Sequence, residues 1–249
     1  MNGKVWLVGA GPGDPELLTL KAVKAMAQAE IVMIDDLVNP QVLEHCPQAR
    51  VIAVGKRGGC RSTPQTFIQR MMLRYARQGK CVVRLKGGDP CIFGRGSEEA
   101  DWLSERGIQV ELVNGITAGL AGATTCGIPL TLRGVARGVT LVTAHTEDDS
   151  SLNWAALAQG GTTLVVYMGV AKLADVRDSL LAGGMRAGMP VALIENASLP
   201  QQRTCYSNLQ QMQQAAQDFQ LKSPAILLIG EVAKRGAAEL PVAALAQLS

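Results

Sequence analysis

Aromatic and histidine side chains are scarce: nine Phe, Trp and Tyr and two His occur among 249 residues. His45 and His145 lie far apart, and no Cys-x-x-Cys pair is present, so the spaced ligands of a metal centre are lacking and no metal is expected. The six cysteines, at 46, 60, 81, 91, 126 and 205, are scattered, several of them inside apolar runs. They read as reduced, hydrophobe-like side chains of a cytoplasmic protein, and a disulfide framework is not expected. A surplus of one charge is lacking too. Lys and Arg number 24 against 21 Asp and Glu, a formal charge of +3, which gives nucleic acid no bulk attraction. No basic segment with an apolar stretch and cleavage site opens the chain, so no export is expected. The uncharged stretch 112–132 carries four Gly, Asn114 and Pro129, which is not the composition of a membrane span. No tandem repeat or low-complexity tract is apparent.

What remains is a globular composition, 47% apolar and 18% charged. Apolar runs of strand length recur at 5–8, 31–34, 51–54, 81–85 and 109–113, and again at 139–143, 163–168, 191–195 and 225–230. Helical patterns alternate with them at 16–29, 65–77, 171–181 and 209–219. Phe67, Met71 and Tyr75 stand at i, i+4, i+8. Such alternation predicts α/β architecture with mostly parallel sheets. The chain divides near residues 114–120 into two α/β lobes, 1–116 and 117–249, with no disordered linker, and a cleft between the lobes is the expected site.

Two glycine-rich turns carry the chemistry. The first runs Gly9-Ala10-Gly11-Pro12-Gly13-Asp14-Pro15 after a strand. A dinucleotide fingerprint needs Gly where Asp14 stands, and Pro12 removes an N–H, so a nicotinamide oxidoreductase is disfavoured. Asp14 suits a cap before Pro15 equally well. The second turn follows the strand at 81–85: Arg84-Leu85-Lys86-Gly87-Gly88-Asp89-Pro90-Cys91-Ile92-Phe93-Gly94-Arg95-Gly96-Ser97-Glu98-Glu99. Ser97 is the expected helix N-cap, with Glu98 and Glu99 in the first turn. Loops after strand ends are where α/β folds bind ligands, and Arg84, Lys86 and Arg95 among glycines suit a multiply carboxylated one.

These motifs, with Asp35, Val54-Gly55-Lys56-Arg57, Pro64-Gln65, Gly115-Ile116-Thr117-Ala118, Gly127-Ile128-Pro129-Leu130-Thr131, Val166-Tyr167-Met168-Gly169 and Pro190-Val191-Ala192, resemble the tetrapyrrole methylase family in order and spacing. The likeness is to its branch acting on uroporphyrinogen III and runs over nearly the whole chain. It implies a two-lobed class III S-adenosylmethionine methyltransferase fold, homodimeric, with the donor in the cleft between lobes. The implied reaction places two methyl groups on ring carbons C2 and C7 of uroporphyrinogen III, through precorrin-1 to precorrin-2, and releases S-adenosylhomocysteine. Sirohaem, cobalamin and haem d1 are the pathways it would serve. No nucleic-acid or membrane partner is implied. These 249 residues leave no room for the dehydrogenase and ferrochelatase module to which some relatives are fused, so later oxidation and metal insertion are expected elsewhere.

The donor contacts implied by the resemblance fall on Pro12, Gly87, Gly88, Asp89, Ile92, Thr117, Ala118, Met168 and Ala197, the last standing where the family has Gly. Asp35 and Lys56 match the family's acid/base pair, and Glu98 is an alternative base. Arg95 takes positioning and electrostatic stabilisation. Candidates for holding the acceptor's carboxylates are Arg95, Arg57, Arg84 and Arg133, since Arg offers bidentate geometry. Leu132 and Arg61 stand where the family more often has His, and Asp36 where relatives often have Arg. Methyl transfer from sulfonium to carbon is an in-line displacement that needs alignment and dryness. The competing readings are the same fold acting on a later precorrin or on a protein or RNA acceptor, the oxidoreductase, and a non-catalytic binding module.

Overall fold

The structure, a computed structural model, describes residues 3–55, 63–145 and 152–237. The chain forms two compact units, 1–118 and 119–249. Strands β1 (Lys4–Gly9), β2 (Ile31–Ile34), β3 (Arg50–Ala53), β4 (Val82–Lys86) and β5 (Gln109–Val113) of the first unit form one sheet in the order β3-β2-β4-β1-β5. All its pairings are parallel. Both faces are buried at the three central strands, which is why β1, β2 and most of β4 read as unbroken apolar runs. Trp6, Val8, Val32, Ile34, Val83 and Leu85 pack against Ala22, Ala25 and Met26 of α1 (Leu20–Met26). Val5, Leu7, Ile31, Met33 and Val82 point the other way, onto Ile68, Met72 and Ala76 of α2 (Gln65–Arg77) and Leu103 of α3 (Gly96–Ser104).

The single helix expected over 16–29 is broken. Asp14 caps a 3-10 turn at Pro15–Leu17 by accepting from the Glu16 N–H, and Thr19 then caps α1 through the Ala22 N–H. Two capping side chains five residues apart, each taking a backbone donor, make two starts where the apolar pattern suggested one. Ser97 is not the cap of α3. The helix begins at Gly96, after Arg95 in a left-handed conformation with no side-chain cap.

The second unit holds α4 (Ala118–Thr125) apart from its first residue, β6 (Val139–Thr143), α5 (Trp154–Gln159), β7 (Thr163–Tyr167), α6 (Leu173–Ala182), β8 (Pro190–Glu195), β9 (Arg203–Asn208), α7 (Met212–Asp218), β10 (Ala225–Ile229) and α8 (Ala233–Ala237). Its sheet runs β6-β7-β10-β8-β9. The expectation of mostly parallel strands fails here: only β6 and β7 pair parallel, and β10 with β7, β10 with β8 and β8 with β9 are antiparallel. The seven residues 196–202 join β8 to β9, too few for the crossover that parallel strands require. Leu164, Val166, Leu193, Leu227 and Ile229 meet α6 and α7 through Val176, Leu180 and Met212. Small residues of α4 cover the other face, where Gly119 lies against Val165 and Tyr167 and Gly122 against Ile194. No helix among the described residues is long and apolar enough to cross a membrane.

Candidate active site

Three loops meet at the carboxyl ends of β1, β4 and β5, where parallel sheets offer ligand sites. Gly11 and Gly88 exchange backbone hydrogen bonds of 3.2 and 2.6 Å, and the Ala10 N–H donates to the Lys86 carbonyl at 2.8 Å. Gly9 and Gly115 touch: a Cβ on Gly9 would lie 2.5 Å from the Gly115 nitrogen. Asp89 ties the loops together, accepting from the Cys91 N–H at 2.7 Å, the Gly115 N–H at 3.0 Å and the Asn114 amide at 3.4 Å. Its carboxylate is therefore spent on loop geometry. Around this knot stand Pro12, Gly87 and Ile92, half-buried, with buried Thr117 and half-buried Ala118. Gly88 takes φ +69°, with the Thr117 backbone beside it.

Below the loops lies a buried set of charges. Alternation along β2 and β4 puts Ile31, Met33 and Asp35 on one face with Val82, Arg84 and Lys86, since Met33 pairs with Arg84 in register. That face is the one α2 and α3 cover. Arg84 is 4% exposed and donates to the Leu85 carbonyl at 2.8 Å, the Met33 carbonyl at 3.5 Å and Asp35 Oδ2 at 3.3 Å. Asp35 Oδ1 accepts from the Leu37 N–H at 3.2 Å, leaving the carboxylate at the mouth of β2 with a quarter of its side chain exposed. Glu99, fully buried, accepts from Gln65 Nε2 at 2.6 Å and Lys86 Nζ at 3.2 Å. Burial pushes the Lys86 ammonium below its ordinary pKa, and Glu99 opposes that shift.

Arg84 was expected among the cations that meet the acceptor. It is instead enclosed in the sheet with Nη1 and Nη2 engaged, and its place is under Asp35. Arg95 and Glu98 are exposed and bound to each other, Arg95 Nη2 and Nε donating to Glu98 Oε2 at 2.7 and 3.0 Å. That bond holds the Glu98 carboxyl below its usual range, which makes it a weaker proton acceptor. Lys56, Arg57 and Arg61 lie outside the described residues. Sequence reasoning missed Glu99 and Gln65, and it grouped Lys86 with the cations that suit a carboxylated ligand, whereas Lys86 is buried against Glu99. The signal existed: Gly96, Glu99 and Leu103 fall at i, i+3, i+7, the buried stripe of α3.

In the second unit, Met168 follows β7 with φ +54° and is 49% exposed, while the Tyr167 hydroxyl accepts from the Gly119 N–H at 2.9 Å. Ala197 is buried between Asn196 and Ser198, both at positive φ. Its methyl fits because it faces Gly122, where an added Cβ would come within 3.1 Å. Arg133 is exposed in a turn closed by reciprocal 2.9 Å bonds between Leu132 and Ala136. Among the described residues no group of three or more His, Cys, Asp or Glu is placed to hold a metal ion.

A profile of the Tetrapyrrole (Corrin/Porphyrin) Methylases matches residues 4–213. The chain belongs to the tetrapyrrole methylases. It is 71% identical over 234 residues to the uroporphyrinogen-III C-methyltransferase of Pseudomonas aeruginosa, covering 94% of this chain and 96% of that one. The enzyme of the same name from Pseudomonas fluorescens is 71% identical over 245 residues, 98% and 99% of the two chains. Among solved structures, the uroporphyrin-III C-methyl transferase of Thermus thermophilus complexed with S-adenosylhomocysteine superposes with a TM-score of 0.81 at 40% identity, covering 93% of this chain and 99% of that one. A tetrapyrrole methylase thus presents a knot of glycine loops above a buried charge cluster.

Proposed function

We propose that this chain is an S-adenosylmethionine-dependent uroporphyrinogen-III C-methyltransferase, making precorrin-2 through precorrin-1 by methylation at C2 and C7. The observation that carries the reading is 71% identity over nearly the full length of two curated enzymes of that activity. The residues fit the donor: the loops offer backbone at close range, and side chains there would fill the space, as a Cβ on Gly87 would come within 2.8 Å of Leu37 Cβ. Pro12, Gly87, Gly88, Ile92, Thr117, Ala118, Met168 and Ala197 are the proposed contacts, with Asp89 shaping the loop. When bound, the donor supplies a methyl whose bond to sulfur breaks as the ring carbon's electron pair forms the new C–C bond.

The protein's part is to align, to neutralise and to move a proton. A methylated porphyrinogen carbon leaves a cationic macrocycle that must lose a proton. Asp35 is the proposed acceptor, its Oδ1 held by the Leu37 N–H and its Oδ2 by Arg84, so that the carboxylate stays fixed while remaining partly open. Lys56 is the proposed acid of the pair: any proton it adds at one ring position is matched by a second proton lost at another, so the net exchange stays one methyl gained for one proton released. Arg95, with Glu98 at its side, and Arg57 and Arg133 are the proposed partners of the acceptor's carboxylates. We take the enzyme to be a cytoplasmic homodimer that binds neither nucleic acid nor membrane, serving sirohaem, cobalamin or haem d1 synthesis.

Anaerobic incubation with uroporphyrinogen III and methyl-labelled donor, followed by product mass, tests the reading. Two labels per macrocycle are expected. None, with the donor still bound, would move the acceptor to a later precorrin on the same fold.

A further inference from the structure

We propose that Glu99 is a positioning residue for Asp35, acting through Arg84: α3 holds Glu99, Glu99 faces Arg84, and Arg84 holds the carboxylate that takes the proton. The inference rests on the proposed role of Asp35. Arg84 Nε is buried without a hydrogen-bond partner among the described residues, and the group it faces is Glu99 Oε1, 3.9 Å away. Glu99 Oε2 is buried and unpartnered in the same way. Gln65 from α2 and Lys86 from β4 clamp the other oxygen at 2.6 and 3.2 Å. Three elements thus converge on one carboxylate that is closed to solvent.

The charges explain the arrangement. Arg84 and Lys86 sit two residues apart on the same face of β4, so their cations would repel without an anion between them. Glu99 supplies it, and with Asp35 the four groups sum to zero. An apolar residue at position 99 would leave two buried cations short of an anion, so charge pairing, more than packing, accounts for Glu99. Withdrawing its charge leaves Asp35 as the one carboxylate paired with Arg84 among the described residues. The guanidinium is then drawn toward Asp35 and turns the carboxylate away from its open edge.

A double-mutant cycle tests the coupling. Glu99→Gln keeps the shape and removes the charge. It should lower single-turnover methyl transfer to uroporphyrinogen III about tenfold while S-adenosylhomocysteine affinity stays within about twofold. In the Asp35→Asn background the same change should alter the rate by less than about twofold. Equal losses in both backgrounds overturn the proposal, because a purely structural residue costs the same with or without Asp35. If Glu99→Gln does not fold, Gln65→Ala reads the same path with all four charges intact. Its expected loss is about threefold, again confined to the Asp35 background, and no loss, or an equal loss in both, refutes it. An Asp35→Asn enzyme with the wild-type rate removes Asp35 from the chemistry, and the inference with it, by a result on a different variant.

Discussion

Substituting Gly115 by Ala tests whether the three loops form one close-packed unit. Gly115 has no positive φ, so an added methyl meets a purely steric obstacle. Its Cβ would lie 2.8 Å from Gly9 Cα and 2.9 Å from the Gly9 carbonyl carbon, and closer still to the Gly88 carbonyl oxygen. All three are backbone atoms of neighbouring loops, so no side chain can swing aside, and the loop must retreat by roughly 0.5 to 1 Å. Overpacking of this kind costs about 1 to 3 kcal/mol. The retreat also stretches the 3.0 Å bond from the Gly115 N–H to Asp89, a bond to a charged group worth about 1.5 to 3 kcal/mol when intact. The entropy that Ala removes from the unfolded chain returns about 0.4 to 1 kcal/mol. The net destabilisation is about 2 to 4 kcal/mol, which lowers the unfolding midpoint by about 5 to 12 °C. Gly107 is the control, with φ +74° but nothing within 4 Å of an added Cβ. Gly107→Ala should cost about 1 to 2 kcal/mol and leave donor binding intact. Calorimetric melting and titration with S-adenosylhomocysteine read both effects, and Gly115→Ala should weaken binding at least about tenfold. A Gly115→Ala protein that melts within about 1 °C of wild type and binds normally would refute the packing described at these loops.

Three further outcomes follow from the side chains. Arg95→Ala should cut turnover at least about tenfold with little change in donor affinity, since it is assigned to the acceptor; unchanged turnover in a folded variant removes that role. Glu195 is buried, which alone would raise its pKa, but Arg203 at 2.7 Å and the Lys222 N–H at 2.9 Å outweigh burial and hold it below 4.5. The native state therefore binds this proton less readily than the unfolded chain, and the stability it contributes is lost as pH falls through the native value. Arg203→Met should flatten the acid limb of urea stability measured from about pH 6 to pH 3, and identical slopes would contradict the pairing. Lys86 is shifted below 10.5, so the native state releases this proton first; its contribution is full above 10.5 and lost as pH falls through the native value. Stability of the wild type should rise into the alkaline range, and Lys86→Met should lack that rise.

The central strands β1, β2 and β4 of the first unit were legible because burial on both faces makes an apolar run its own signature. β9 was not, since Arg203-Thr204-Cys205-Tyr206-Ser207-Asn208 contains no apolar run and lies at a sheet edge. Nor did the pattern distinguish parallel from antiparallel neighbours: 163–167 and 225–229 are apolar in either setting. The turns that build the loop knot stood out, because Gly, Pro and Asp cluster after strand ends, but their meeting through Gly9, Gly11, Gly88 and Gly115 did not. The charge cluster could not be read in advance. A lone Arg or Lys in sequence reads as surface, and only the meeting of β4 with α2 and α3 reveals what neutralises Arg84 and Lys86.

The backbone outliers bear on engineering. Among the described residues six non-glycine positions have positive φ, and five of them, Phe93, Arg95, Met168, Asn196 and Ser198, are or adjoin proposed ligand contacts. Each stores about 1 to 2 kcal/mol that glycine would release. A screen that selects only for heat resistance would therefore be drawn to these positions, and would harvest its gains from the surfaces that hold the ligands. Thermostable variants from such a screen should be sorted by activity before any of these five changes is kept.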